Sequence, residues 1–258
     1  MKKVNNNPQI FYDNLAEYYH LIANDWQQAV ERQRQQISAF FDKISIRKNA
    51  SILDCACGVG TQAIGLAQME YVVHACDLSP QSIVQAKKNA QHFAVNIPFF
   101  VCDMRHLQSQ ANTLYDAIVA FDNAVPHLLD TSDVICAFRN IYECLNSCGT
   151  FIFSIRDYDS LLKKRPQSTM PRTIHDEFGQ RITFQTWEWK PQSNIYNFQL
   201  FILQKKDNNW ESKCFPSTYR AYRRSELSDL LKKALFKNIR WYMPQESGYY
   251  QPIVVAKK

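Results

Sequence analysis

No apolar run in this 258-residue chain approaches the ~18 residues that cross a bilayer as a helix. The first eight residues, Met1 to Pro8, have no apolar stretch behind their lysines, so a secretory leader is not expected. Cysteine is present but lacks zinc-site pairing. Cys55-x-Cys57 and Cys144-x3-Cys148 have no matching Cys/His pair, and no metal is expected. Cys55, Cys57, Cys76, Cys102, Cys136 and Cys144 instead fall in apolar patterns, as buried, reduced thiols of a cytoplasmic protein would. No basic helix or recognised nucleic-acid motif occurs. Charge is nonetheless uneven: residues 1–150 carry 11 Lys/Arg and 14 Asp/Glu, residues 151–258 carry 19 and 10. A basic C-terminal half suits an anionic small molecule or a solvated surface. Nucleic acid is not the expected partner, and no membrane contact is expected.

What is present is a strand, a glycine turn and a helix. Ser51-Ile-Leu-Asp54 is apolar and ends in a carboxylate, Gly58 and Gly60 follow, and a helix runs from Thr61 to Met69. Glycine lets bare backbone approach a nucleotide-like ligand. The spacing is Asp-x3-Gly-x-Gly, without the Lys-Ser/Thr pair that holds phosphates. Such a loop suits a nucleoside cofactor whose charge lies elsewhere, and S-adenosylmethionine is the expected one.

From there strands and helices alternate. Tyr71–Cys76 reads as a strand ending at Asp77, and Ser79-Pro80 opens a helix to His92, serine capping and proline in the first turn. Pro98–Cys102 ends at Asp103, Tyr115–Phe121 at Asp122-Asn123, and Thr150–Ile155 at Arg156, with a helix over Val134–Leu145. Short apolar strands separated by helices predict a Rossmann-like parallel sheet with helices on both faces. Ligands of such sheets bind at the carboxyl ends of the strands, where these polar residues fall.

Asp77 lies close to the ~20-residue offset of an acid that binds ribose hydroxyls. Asp103 is placed to accept from an adenine amino group with Met104 on the ring, or is a turn residue. Asp54 is expected to orient the Gly loop.

After strand five the period changes to two. Arg181–Trp189, Ile195–Leu203 and Glu211–Tyr222 read as antiparallel strands, with a turn at Asp207-Asn-Asn209. Ser225–Leu235 resumes as an amphipathic helix, and Ile239–Tyr242 with Pro252–Ala256 completes a seven-stranded sheet. The predicted organisation is an N-terminal helical cap (1–47), a cofactor-binding core (48–156), an inserted β-rich cover (157–222) and the end of the core (223–258).

This pattern resembles the class I S-adenosylmethionine-dependent methyltransferases, on Asp54-x3-Gly58-x-Gly60, Asp77 and Asp103. A narrower likeness is to the glycine/sarcosine N-methyltransferase group. It rests on Asp122-Asn-Ala-Val-Pro-His-Leu128 and Ser154-Ile-Arg-Asp-Tyr-Asp159, where that group has Asn-x3-His-Leu and Arg-Asn-Tyr-Asp. The resemblance implies methyl transfer at Asn123 and His127, a substrate carboxylate on Arg156, and Tyr19 and Tyr158 beside the substrate. It implies a cofactor held by Tyr18, Arg32, Asp54, Ala56, Gly58, Gly60, Asp77, Leu78, Asp103, Met104 and Phe121. The chain departs from the group at Asp157 (Asn there), Asp122 (Gly there) and Phe121 (Leu there).

The residues by themselves leave alternatives open. Arg156 is a carboxylate fork or a surface ion pair with Asp157 or Asp159. His127 donates to the cofactor carboxylate, accepts the amine proton, or simply packs. Asn123 accepts from the substrate N–H or sits in a turn. Arg32 clamps the cofactor or lies on a solvated helix face. Tyr12, Tyr18 and Tyr19 form an aromatic lid or ordinary helix packing. The expected function is methylation of a small-molecule acceptor, on the nitrogen of a glycine-like amine bearing a carboxylate. Against it stand O- or C-methylation of another small molecule, an RNA methyltransferase, and a non-catalytic cofactor-binding module. Assembly as a homo-oligomer stays open.

Overall fold

A computed structural model describes residues 7–23, 25–110, 113–207 and 209–258. Residues 1–6 of the Met1–Pro8 stretch on which the expectation of no leader rests lie outside these, as does Asn208 in the expected turn. The N-terminal region forms α1 (Pro8–Leu15), a 3-10 segment (Ala16–Ile22) and α2 (Trp26–Lys43). Side-chain caps start both α-helices: Asn7 accepts from the Gln9 amide and Asp25 from the Gln28 amide.

The core then alternates: β1 (Ser51–Asp54), α3 (Thr61–Gln68), β2 (Val72–Asp77), α4 (Pro80–His92), β3 (Phe99–Val101), β4 (Tyr115–Ala120), α5 (Thr131–Glu143) and β5 (Leu145–Ser154). Ser79 caps α4 as its sequence predicts, accepting from the Ser82 amide. The remaining elements are α6 (Tyr158–Lys164), β6 (Arg172–Asp176), β7 (Gly179–Trp189), β8 (Ile195–Lys206), β9 (Asn209–Arg220), α7 (Arg224–Lys233), β10 (Lys237–Tyr242), α8 (Pro244–Ser247) and β11 (Ile253–Lys257).

The large sheet has seven strands in the order β10-β11-β5-β4-β1-β2-β3. Only β11 runs antiparallel, between β5 and β10. Successive strands step outward from β1 to β3, and the chain then returns to lay β4 on the other side of β1. That reversal between β1 and β4 opens a crevice at the strand ends, where ligands of doubly wound sheets bind. Two buried clusters flank the sheet. One gathers Leu53, Ile118, Phe138, Phe151 and Phe153, the other Ile52, Ala75, Val119 and Ile152. Neighbouring residues of one strand thus face opposite layers.

The insertion is a four-stranded antiparallel sheet, β6-β7-β8-β9, one strand more than the sequence predicts. The fourth, β6, buries only Ile174 among five residues, so it carries no alternation to read. The short α6 escapes for the same reason, burying only Tyr158 and Leu162. The inserted sheet turns Trp187, Tyr196, Phe198 and Tyr219 into the first core cluster. Arg181 fastens it to the N-terminal region. This buried guanidinium donates to the Leu21 carbonyl (2.8 Å) and the Ala23 carbonyl (2.8 Å) and pairs with Asp176. Of the six cysteines expected inside, five are buried, while Cys136 is exposed. Among the described residues no helix is long and apolar enough to cross a membrane.

Candidate active site

Two cavities meet at the carboxyl ends of the strands. The first, of about 620 Å³, is walled by the glycine loop, Asp77-Leu78, Cys102 to Arg105, Phe121-Asp122 and Tyr12 of α1. The loop owes its shape to two strand-end acids. The Ala56 amide donates to Asp54 (3.3 Å), and the Gly58 amide donates across to Asp77 Oδ2 (2.8 Å). Gly58 and Gly60 take φ of +52° and +94°, which side chains other than glycine resist. Gly58 faces the cavity. Gly60 turns away, and a Cβ there would lie 3.4 Å from the Ala86 Cβ, so it sets how α3 packs on α4.

Asp54 is buried beneath the loop rather than on the cavity wall. Burial pushes its carboxyl up to about 8. Asp77 also accepts from the Ser79 amide (2.9 Å). Burial pushes it up to about 6, held back by the Ser79 and Gly58 amides. A folded pKa above the unfolded 3.8 means the native state binds the extra proton, so stability falls as pH rises through the folded value. His127 acts oppositely: lowered from 6.5 to about 3 by burial and by Arg156, it costs stability only as pH falls below 6.5. Between about pH 6.5 and 8 the slope among these three groups is therefore set by Asp54. The thermal midpoint should decline across that window in the parent, whereas Asp54→Asn should flatten it. A parent-like slope in the mutant, read by scanning calorimetry, would dismiss the buried acid.

Leu78, Met104 and Phe121 also line this cavity. Asp103 does not stand free there. Arg105 engages both of its oxygens (Nη2–Oδ2 2.6 Å, Nε–Oδ1 3.1 Å) and reaches on to Asp133 (2.9 Å). Burial pushes Asp103 up, and the Arg105 hydrogen bonds outweigh it, holding the carboxyl below its ordinary range. An adenine amino group would share this carboxylate with Arg105.

The second cavity, of about 1070 Å³, runs between α2, the inserted sheet and the loop before β11. Arg156 and Asn123 are on its wall. The Arg156 guanidinium donates to the Tyr196 hydroxyl (3.3 Å) and Gln185 Oε1 (3.2 Å), and lies 4.9 Å from the Trp187 ring and 5.4 Å from the Tyr219 ring. The surface ion pair weighed above does not form. Arg224 takes Asp157 (2.7 Å) and Asp159 (3.3 Å) instead. Among the described residues, Arg156 faces the cavity with no carboxylate paired to it. Asn123 Oδ1 accepts from the Arg156 amide (3.0 Å), while its buried Nδ2 has no partner among the described residues. Its free function is thus a donor, not the acceptor its sequence context suggests.

The other expected residues divide. Tyr19 lines both cavities, as does Tyr12. Tyr18, the next residue to Tyr19, is on neither. It packs near Phe215 (5.9 Å between centroids) with Lys213 Nζ 4.2 Å over its ring. Arg32 is exposed, lines the second cavity and is absent from the wall of the first. Tyr158 is buried and on neither cavity wall, its hydroxyl 3.2 Å from that of Tyr196. His127 is on the first cavity's wall, its Nε2 3.0 Å from the Tyr12 hydroxyl and its ring 4.3 Å from that of Tyr219. With a pKa near 3 it is neutral at pH 7 and a weak base.

Residues 52–149 match the family model for a methyltransferase domain. Over 152 residues the chain is 28% identical to a glycine/sarcosine/dimethylglycine N-methyltransferase of Actinopolyspora halophila, covering 57% of this chain and 27% of that one. Over 149 residues it is 26% identical to a glycine/sarcosine N-methyltransferase of Halorhodospira halochloris, covering 57% of this chain and 56% of that one. The chain thus spans about half, or less, of these curated relatives. An S-adenosylmethionine-dependent methyltransferase from Clostridium acetobutylicum superposes with a TM-score of 0.74 at 17% identity, over 95% of this chain and 98% of that one. The fold is that of the class I S-adenosylmethionine-dependent methyltransferases, and the chain resembles the glycine/sarcosine group within them.

Proposed function

We propose that the protein is an S-adenosylmethionine-dependent methyltransferase acting on the nitrogen of a small amine that bears a carboxylate. The observation that carries this is Arg156: a guanidinium without a carboxylate of its own, on a cavity that shares a wall with the cofactor's. The first cavity fits the cofactor. Its volume suits a ligand of that size, its glycine loop carries no phosphate-binding side chains, and a strand-end acid stands where ribose hydroxyls are bound. When bound, S-adenosylmethionine supplies the electrophilic methyl group.

The chain's own residues do the positioning, which is most of what such a transfer needs. Asp77 takes the ribose hydroxyls, and Met104 with Phe121 packs on the base. Arg156 grips the acceptor carboxylate through two N–H groups, and Asn123 adds its free amide donor. The inserted sheet and α1 cover the junction and keep water from the reacting pair. His127 is too weak a base to hold the amine proton, so it orients Tyr12, and the methylated ammonium gives its proton to solvent once it leaves the covered junction. The relatives named for glycine, sarcosine and dimethylglycine support a nitrogen acceptor. The size of the second cavity and its Phe11, Phe198 and Tyr219 lining favour a second reading, a bulkier acid methylated on nitrogen, oxygen or carbon.

Calorimetric titration with S-adenosylmethionine, followed by a methyl-transfer screen over glycine, sarcosine, dimethylglycine and larger amino acids, tests the reading. Micromolar binding with turnover on a carboxylate-bearing amine is expected. Binding with turnover only on acceptors lacking a carboxylate would remove Arg156 from its role. Absence of binding would overturn the cofactor assignment itself.

A further inference from the structure

Four described residues line both cavities: Tyr12, Tyr19, Thr61 and Asp122. A methyl group moving from the first cavity to the second passes among them. Three are neutral, and Asp122 is the one carboxylate. Four donors converge on it from three separate stretches of chain. Gln62 (2.7 Å) and Gln33 (3.4 Å) donate to Oδ2, and Tyr249 and Tyr250 (2.6 Å for the latter) donate to Oδ1. All four are amides or phenols, so they fix the carboxylate without cancelling its charge. Charge-assisted bonds of this kind hold an acid firmly where water is scarce. The backbone reinforces the point. Asp122 sits at φ +56°, in the left-handed region that an aspartate adopts at a cost and a glycine does not.

We propose that Asp122 is the counter-charge for the cofactor's sulfonium and makes this site discriminate the charged methyl donor from its neutral product. The inference rests on the cofactor reading above. In the transfer, the acceptor nitrogen's lone pair forms the new N–CH3 bond as the S–CH3 bond breaks with its electron pair left on sulfur. The positive charge leaves sulfur and appears on nitrogen, which then releases a proton to water. Asp122 therefore attracts the donor but has no charge to hold in the product thioether. The carboxylate thus strengthens loading of the donor without strengthening retention of the spent product, because Coulomb attraction in a partly buried junction is several-fold stronger than in water.

The test is a ratio. S-adenosylmethionine and S-adenosylhomocysteine are titrated separately, by calorimetry, into the parent, Asp122→Asn and Tyr250→Phe. Asp122→Asn should weaken the charged ligand roughly tenfold, ~1.4 kcal/mol, and change the neutral one less than about twofold. Tyr250→Phe keeps the charge and should leave the ratio of the two dissociation constants unchanged. If Asp122→Asn folds poorly, Asp122→Gly, which accepts the left-handed backbone, should show the same altered ratio. Equal weakening of both ligands would make Asp122 a structural hub and overturn the proposal, as would no change in either. A parent that binds neither ligand would instead defeat the cofactor reading.

Discussion

Arg156→Lys is expected to raise the KM for a carboxylate-bearing acceptor by about ten- to a hundredfold while leaving cofactor affinity unchanged. A hydrogen bond to a charged group contributes about 1.5–3 kcal/mol, and lysine keeps the charge but loses the two-pronged geometry. The position of Arg156 makes the loss specific. Its guanidinium plane is set by Tyr196, Gln185 and the rings of Trp187 and Tyr219, none of which a shorter ammonium would reproduce. Its main-chain amide ties it to Asn123, and that tie survives the substitution. Steady-state kinetics with acceptor varied at saturating cofactor, beside a cofactor titration, separates the two effects. An unchanged KM would take Arg156 out of the acceptor site. A parallel loss of cofactor affinity would mean that the cavity wall had collapsed.

Asp77→Ala should weaken cofactor binding by about 1–3 kcal/mol, the cost of removing a hydrogen-bonded carboxylate. Part of this comes through the glycine loop, because alanine also orphans the Gly58 and Ser79 amides that Asp77 now accepts. Asp77→Asn divides the loss: it removes the charge and keeps one acceptor oxygen, so one of the two amides loses its partner instead of both. A pH titration adds an independent signature. With the Asp77 carboxyl pushed up to about 6 by burial, affinity should be level above that pH. It should fall as pH drops through it, since a protonated carboxyl is the poorer acceptor. Asp77→Asn should abolish this dependence. Equal affinity in parent and Asp77→Ala would refute the ribose role.

The glycine loop and the strand-end acids were readable because their determinants are local. Asp54, Gly58 and Gly60 lie within seven residues, and the strand period carries each apolar run to its polar end. Asp77 and Asp103 fall at the sheet's edge by that rule alone. The tyrosine pair shows where it stops. Both Tyr18 and Tyr19 fit an aromatic lid, but they sit in a 3-10 segment, where successive side chains point about 120° apart. One therefore enters the cavities and the other meets Phe215 and Lys213. Asp103 looked free because nothing in a linear reading tells a turn residue from one gripped by the Arg105 guanidinium two residues on.

The amino-acid order alone determined the doubly wound sheet, the place of the insertion and the kind of ligand loop at its edge, since these follow from periodicity and nearby glycines and carboxylates. Tertiary structure alone decided which charges are free. Among the described residues Arg156 has no carboxylate partner, because Arg224, distant in the chain, claims Asp157 and Asp159. Asp122 is anchored because Gln33, Gln62, Tyr249 and Tyr250 converge on it from both ends of the chain. Electrostatic partnership depends on distance in space and on desolvation, and neither is encoded in the spacing of residues along a chain.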